Sequence, residues 1–350
     1  MGGCQCFGFD RLAVYLRLST AMKLRSECTC LITGGAGFIG SHLAEALLSD
    51  GHRVFAVDNL STGRMENISH LVSNDRFQFT EADIEEAGGW EEWASRSQVI
   101  FHLAAAVGVK LIVDKPVQTI ETNIMGTERV LKAATQHRCR TIIASTSEVY
   151  GKGVRIPFAE DDDVLLGPTA KSRWAYAASK MVDEFLALAY HAEYKTDVVC
   201  VRLFNTVGPR QTGQYGMVIP RLVRQALRGE PLTVYSDGKQ CRCFADVGDV
   251  VRALIGLAAE PQASGRVFNV GNTEEVSIMA LAQRIKHLSA SRSEIKLVPF
   301  GDAYGPGFED MQRRVPDISR INGLIGWQPT TSLDDILRSV IEFERREMTS

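Results

Sequence analysis

"CTCLITGGAGFIGSHLAEALLSDG", residues 28–51, decides the fold. It opens on a strand-like run, residues 28–33, of β-branched and apolar side chains. Gly34, Gly37 and Gly40 follow at G-x-x-G-x-x-G spacing, and Gly35, Gly37 and Gly40 also fit G-x-G-x-x-G. An amphipathic helical stretch then runs to Gly51, where a C′ glycine stops it. A bound pyrophosphate asks for this order. Glycine permits the tight turn and the close approach of backbone N–H groups, and the helix N-terminus faces the anion. The next strand, "RVFAVD" (53–58), ends in Asp58, followed by Asn59. A carboxylate there accepts hydrogen bonds from the adenosine ribose hydroxyls and repels a 2′-phosphate, which favours NAD over NADP.

Outward from this unit, strand-like runs at 77–83, 99–106 and 141–146 alternate with helical stretches through Leu203. The expectation is an α/β Rossmann-type, doubly wound parallel sheet with a smaller C-terminal lobe. Residues 22–204 form the NAD-binding domain, to which 244–274 return. Residues 205–243 and 275–350, where Gly and Pro become frequent, form a nucleotide-sugar-binding lobe. Residues 1–21 read as a poorly ordered or non-native extension.

The bulk numbers exclude several classes. The 350 residues, 45% hydrophobic, can bury a large core. A net charge of -3 without a Lys/Arg block argues against nucleic acid. No apolar run approaches a membrane span of about 20 residues. Six of the eight cysteines form Cys-x-Cys pairs, Cys4/Cys6, Cys28/Cys30 and Cys241/Cys243. That spacing suits reduced thiols of a cytoplasmic protein better than a metal site, so no metal is expected.

Two further stretches carry chemistry. In "YAASK" (176–180), Tyr176 and Lys180 lie one helical turn apart on one face. An ammonium beside a phenol favours the phenolate, and so arms Tyr176 as a base toward a sugar hydroxyl. In "ASTSEVYG" (144–151), Thr146, Ser147 and Glu148 follow a strand at the carboxyl edge, where open α/β sheets bind ligands. The competing reading is a Ser/Thr turn or cap.

The set "GGAGFIG", Asp58, "HLAA" (102–105), Asn123, "STSEVYG" and "YAASK" resembles the extended short-chain dehydrogenase/reductases, in their nucleotide-sugar epimerase/dehydratase branch. The likeness covers residues 28–345 and includes "GEPLTVYSDGKQCRCFADV" and "RRVPD". It implies a tightly held NAD used catalytically, oxidation of the sugar at C4, and a homodimer through the helices carrying Asn123 and Tyr176. Carried over by position, Thr146, Tyr176 and Lys180 match the triad, with Tyr176 as base, Lys180 on the nicotinamide ribose and Thr146 on O4. The cofactor set is Gly34, Gly37, Phe38, Ile39, Gly40, Asp58, Asn59, Asp83, Ile84, Leu103, Ala104, Ala105, Asn123, Tyr176 and Lys180. His102 also stands on the pyrophosphate side. Asn205, Arg221, Arg242 and Arg314 match the substrate-binding positions, and guanidinium forks suit a diphosphate.

Within the branch, Thr146-Ser147-Glu148 looks like the turn of UDP-glucuronate decarboxylases. Ser147 stands where glucose-type dehydratases carry an acid. The expected activity is decarboxylation of UDP-glucuronate to UDP-xylose through a 4-keto intermediate, with Ser147 and Glu148 serving the second step. UDP-sugar 4-epimerisation (UDP-glucose or UDP-glucuronate) is the alternative, then 4,6-dehydration. A dinucleotide-binding regulator and a one-way dehydrogenase are the readings outside this chemistry.

Overall fold

The computed structural model describes residues 24, 26–86, 88–106, 115–153, 155–213, 217–299 and 313–349. The expectation for residues 1–21, Cys4 and Cys6 among them, lies outside the described residues.

The glycine turn joins strand β1 (Thr29–Thr33) to helix α1 (Phe38–Ser49). Gly34 has φ +72°, and a Cβ there would lie 2.8 Å from the Ala104 nitrogen. A Cβ on Gly40 would stand 2.1 Å from the Gly34 oxygen, so only glycine lets α1 sit this close on the turn. α1 ends as the sequence indicates, with Gly51 at φ +94° just beyond its Asp50 cap.

The remaining elements of the large layer are β2 (Arg53–Asp58), β3 (Phe77–Glu81), α2 (Trp90–Ser95), β4 (Val99–His102), α3 (Pro116–His137), β5 (Arg140–Thr146), α4 (Arg173–Tyr194) and β6 (Val198–Leu203). After the two-residue β7 (Thr206–Val207) come α5 (Val218–Arg228), β8 (Leu232–Tyr235), β9 (Cys241–Cys243), β10 (Ala245–Asp246), α6 (Val247–Ala259) and β11 (Arg266–Val270). The chain closes with β12 (Glu275–Ser277), α7 (Ile278–Leu288), β13 (Ile295–Val298), β14 (Arg313–Arg314), α8 (Ser319–Ile325) and α9 (Leu333–Glu347).

Seven strands form one parallel sheet in the order β11-β6-β5-β4-β1-β2-β3. It is a Rossmann-like doubly wound fold, whose strand order reverses between β1 and β4. Strands buried on both faces are apolar throughout, as in "VVCV" of β6. α1 and α6 pack on one face, while α2 and α3 close the other around Trp90, Phe55 and Val130. α4 lies beside α3 and packs on β5 and β6 through Ala187.

A second core gathers α5, α7 and α9 with β8, around Leu222, Leu281 and Ile336. Two small sheets, β12-β9-β14 and β13-β8, flank it. Residues 319–327, expected with this lobe, pack elsewhere. Ile321, Ile325 and Trp327 enter the core of the large sheet, and the Trp327 indole N–H donates to the Asp249 carbonyl at 2.9 Å. Their apolar surface matches the open face left by α6 and β11, a pairing that sequence order does not reveal.

Candidate active site

A cleft of about 860 Å³ opens at the carboxyl ends of the sheet strands and runs to the second core. Its lining includes the glycine turn, Asp58, Asn59, Asp83, Ile84, the 103–105 segment, Thr146, Ser147, Glu148, Tyr176, Lys180, Asn205, Arg221, Arg242 and Arg314. Sequence positions from 34 to 314 therefore converge on one space.

Asp58 ends β2 as a buried carboxylate. It accepts from the Ala36 N–H at 3.0 Å and the Leu60 N–H at 2.8 Å. Burial raises its pKa, although these backbone donors favour the charged form. Beside it, the Asn59 amide donates to Asp83 at 2.9 Å. Asp83 Oδ1 accepts from the Glu85 N–H, which turns the chain so that Ile84 points into the wall.

β5 delivers the polar cluster. Thr146 is in extended conformation, and its hydroxyl accepts from the Glu148 N–H at 3.2 Å, capping the 3-10 turn Ser147–Tyr150. The same side chain hydrogen-bonds the Tyr176 hydroxyl. The cap and the chemical position are thus one residue. Ser145, one residue earlier, points to the other side and donates to Glu184. Arg202 grips Glu184 with two N–H groups, Nε and Nη2, at 3.0 and 2.8 Å. This buried ionic strut ties β5 to α4 and β6, and fixes where Thr146 stands.

α4 carries Tyr176 and Lys180 on its buried face. The phenol is pushed well above its ordinary pKa, chiefly by burial and then by the Glu148 charge, while the Thr146 hydrogen bond works the other way. The sequence reading had Lys180 lower this pKa. Instead the ammonium donates to Asp183 Oδ2 at 2.7 Å, in an ion pair whose side chains are 2% and 0% exposed. A carboxylate at that distance opposes the lysine's field on any third group.

Glu148 is the most crowded charge in the cleft. Arg314, from β14, donates to its Oε1, and Arg173, from the first turn of α4, lies 3.4 Å from Oε2. Burial pushes the Glu148 pKa up, but Arg314, Arg173 and Arg242 outweigh it and hold the carboxyl below its ordinary value. Arg314 also reaches the Ser147 hydroxyl and Asn205 Oδ1, each at 3.5 Å. Arg221 lies over the Tyr235 ring at 4.3 Å and donates to the Thr233 carbonyl at 2.7 Å. Three guanidinium groups thus act on one carboxylate, which leaves the pocket positive and suited to an anionic substrate.

Two residues expected on the cofactor side are buried and do not line the cleft. Asn123 is buried behind the wall, where it accepts from the Ala106 N–H at 2.9 Å and donates to Ser179 at 3.0 Å. It braces the 103–106 segment against α4, where α3 and α4 pack on each other. His102 is likewise enclosed, between Thr33 (2.8 Å) and Thr127 (3.1 Å), with burial bringing its pKa down to about 3. The sequence reading missed Arg173, although it stands three residues before Tyr176 and so shares its helical face. It also missed Asp183, which nothing but the packing of α3 on α4 distinguishes from a surface acid.

The family profile of GDP-mannose 4,6-dehydratase matches residues 31–340, and the chain belongs to that family. Its relatives include UDP-N-acetyl-alpha-D-glucosaminuronate decarboxylase of Bacillus cytotoxicus, 44% identical over 90% of this chain and 97% of the relative. UDP-glucuronic acid decarboxylase 1 of Danio rerio is 38% identical over 91% of this chain and 73% of the relative. Among solved structures, UDP-glucuronic acid 4-epimerase of Bacillus cereus, in complex with UDP-glucuronic acid and NAD, is 31% identical. It superposes with a TM-score of 0.81 over 91% of this chain and 99% of the other. UDP-glucose 4-epimerase of Thermotoga maritima, with UDP-glucose, is 30% identical with a TM-score of 0.80 over 91% and 99% of the two chains.

Proposed function

We propose that this family member is an NAD-dependent decarboxylase of a UDP-linked uronate, acting on UDP-glucuronate to give UDP-xylose or on the 2-acetamido analogue. The observation that carries the reading is the clasp of Arg314 and Arg173 on Glu148, with Arg242 adding its charge. A C6 carboxylate suits such a pocket; a neutral CH2OH has no use for it. The names of the two decarboxylase relatives agree with a uronate.

The cleft fits a dinucleotide. Asp58 stands where ribose hydroxyls are recognised, and the Gly34–Gly40 turn presents backbone N–H groups and a helix N-terminus to a pyrophosphate. Gly34, Gly37, Phe38, Ile39, Gly40, Asp58, Asn59, Asp83, Ile84, Leu103, Ala104 and Ala105 would hold the cofactor. When bound, NAD supplies a reversible hydride acceptor and the positive charge of its nicotinamide. Thr146 and Tyr176 hydrogen-bond O4 of the sugar, and Tyr176 takes its proton as the alcohol becomes a ketone. Arg314, Arg242 and Arg221 hold the uronate and diphosphate from the smaller lobe, with Asn205 at the junction. Ser147 and Glu148 are assigned to the second step, in which C5 takes up a proton once CO2 leaves. Tyr176 then returns its proton to O4 as the ketone takes back the hydride at C4.

A second reading is 4-epimerisation, favoured by the likeness to the Bacillus cereus epimerase. Incubation with UDP-glucuronate, UDP-glucose and UDP-N-acetylglucosaminuronate, followed by mass spectrometry and sugar NMR, separates the two. Loss of CO2 from a uronate supports decarboxylation. An unchanged mass with a new sugar spectrum establishes epimerisation, and loss of water establishes dehydration. Accumulation of NADH in step with product would overturn the internal return of hydride.

The reading includes a homodimer in the cytoplasm. Val117, Ile120 and Met125 of α3 and Val182 and Phe185 of α4 are exposed apolar side chains on two adjoining helices, which a second copy of the same pair would cover. Among the described residues, no helix is long and apolar enough to cross a membrane.

A further inference from the structure

From Lys180 in the cleft lining, a chain of buried polar groups runs back behind the wall to residues that the proposed reaction does not use. Thr33, at the end of β1, is hydrogen-bonded to the Ala104 N–H at 3.2 Å and to His102 Nδ1 at 2.8 Å. His102 Nε2 meets the Thr127 hydroxyl of α3 at 3.1 Å. Burial raises the Asp183 pKa, against which Lys180 first and then Thr127 favour the charged form; Asp183 Oδ2 holds the Lys180 ammonium, while its Oδ1 has no hydrogen-bond partner among the described residues. Thr33, His102, Thr127, Lys180 and Asp183 are all nearly or fully buried. Four elements, β1, β4, α3 and α4, contribute to this line.

We propose that Asp183 is a positioning residue for Lys180: it anchors the ammonium inside the protein and sets how much of the lysine's charge reaches Tyr176. The inference rests on the reading above that Tyr176 is the base. Its physics is that of a short buried pair. A carboxylate 2.7 Å from the ammonium turns a point charge into a dipole, and its field at a third group falls off far more steeply. The carboxylate therefore opposes the phenolate that Lys180 alone would favour, and Asp183 does act to raise the Tyr176 pKa. Asp183 is thus a brake on the base, traded for a lysine that cannot wander.

Other charges face the same spot. Glu148 approaches Tyr176 from the 3-10 turn. Glu184 of α4 lies near Asp183, and it is neutralised by Arg202 of β6. Cys200 of β6 is held as the neutral thiol by burial, and His102 of β4 is neutral at physiological pH. Arg173 and Arg314 are engaged with Glu148. Asp183 is therefore the charge whose removal changes Lys180 most directly.

The test is the pH profile of kcat, measured on the full chain with NAD and whichever uronate it turns over. Asp183→Asn keeps the shape and removes the charge. Its acid limb is expected to move to lower pH by on the order of one unit, and KM for NAD is expected to rise as the ammonium loses its anchor. Asp183→Glu restores the charge and is expected to return the limb toward wild type. Should Asp183→Asn not fold, Thr127→Val carries the test. It removes the hydroxyl that favours the Asp183 carboxylate, and is expected to shift the limb the same way by less, with Thr127→Ser unchanged. Superimposable profiles for both variants, or a limb moving to higher pH, would overturn the proposal. Tyr176→Phe separates the two layers. If it keeps wild-type turnover, the reading of Tyr176 fails; if it is inactive while the Asp183 and Thr127 profiles do not move, only the inference about Asp183 fails.

Discussion

Glu148 and Arg314 meet as an ion pair at the floor of the cleft, although 166 positions separate them in the chain. The carboxylate rides on the 3-10 turn that follows β5, and the guanidinium is delivered by β14, which pairs with β9. The contact joins the large sheet to the smaller lobe at the point where a uronate would lie.

Removing the guanidinium tests its role. Arg314→Ala is expected to lower kcat/KM for the uronate by about 10²–10³, the loss typical of one partner in a desolvated charge pair. Arg314→Lys recovers only part, because an ammonium cannot reproduce the fork. Steady-state kinetics decide; a twofold effect would remove Arg314 from the substrate site.

The base has its own signature. Tyr176→Phe is expected to lower turnover by about 10²–10⁴, the usual contribution of a positioned acid–base group, while nucleotide affinity holds. Calorimetric titration with UDP, alongside turnover, tells chemistry from binding.

Stability should depend on pH through Glu148. Its folded pKa is depressed, so the unfolded chain binds its proton first as pH falls. The stabilisation is present above the unfolded value of about 4.3 and is lost as pH drops through the folded pKa. Wild type should therefore melt above Glu148→Gln at neutral pH, and the gap in Tm should close in acid. A gap constant with pH contradicts the ion pair.

The strut beneath the cleft is the fourth test. Arg202→Met strands the Glu184 carboxylate against the Ser145 hydroxyl, and should cost about 3–5 kcal/mol in chemical denaturation. Glu184→Gln with Arg202→Met together should cost less than the single change, because no buried charge is then left alone. Equal or additive losses would show that the pair is not coupled.

The exposed apolar faces of α3 and α4 give the fifth. Phe185→Glu, on a side chain that is 66% exposed, should leave folding intact and yield a monomer in sedimentation velocity. A variant that sediments as wild type would move the interface elsewhere.

Much of this was written locally. The glycine turn, Gly51 and the runs of β1, β2, β5 and β6 dictate a doubly wound sheet, because each depends on backbone freedom or periodicity within a few residues. Thr146, Glu148 and Tyr176 could be singled out because strand ends and helix faces have fixed directions. Packing decided the rest. Asn123 and His102 carry polar side chains that could equally face a cofactor; the fold instead gives Asn123 partners at Ala106 and Ser179, and His102 partners at Thr33 and Thr127. Lys180 was expected to arm Tyr176, but burial favours the nearest opposite charge, and the fold placed Asp183 there. Arg314 reaches Glu148 because a late two-residue strand pairs with β9. No periodicity announces that pairing, and the electrostatics of the cleft depend on it.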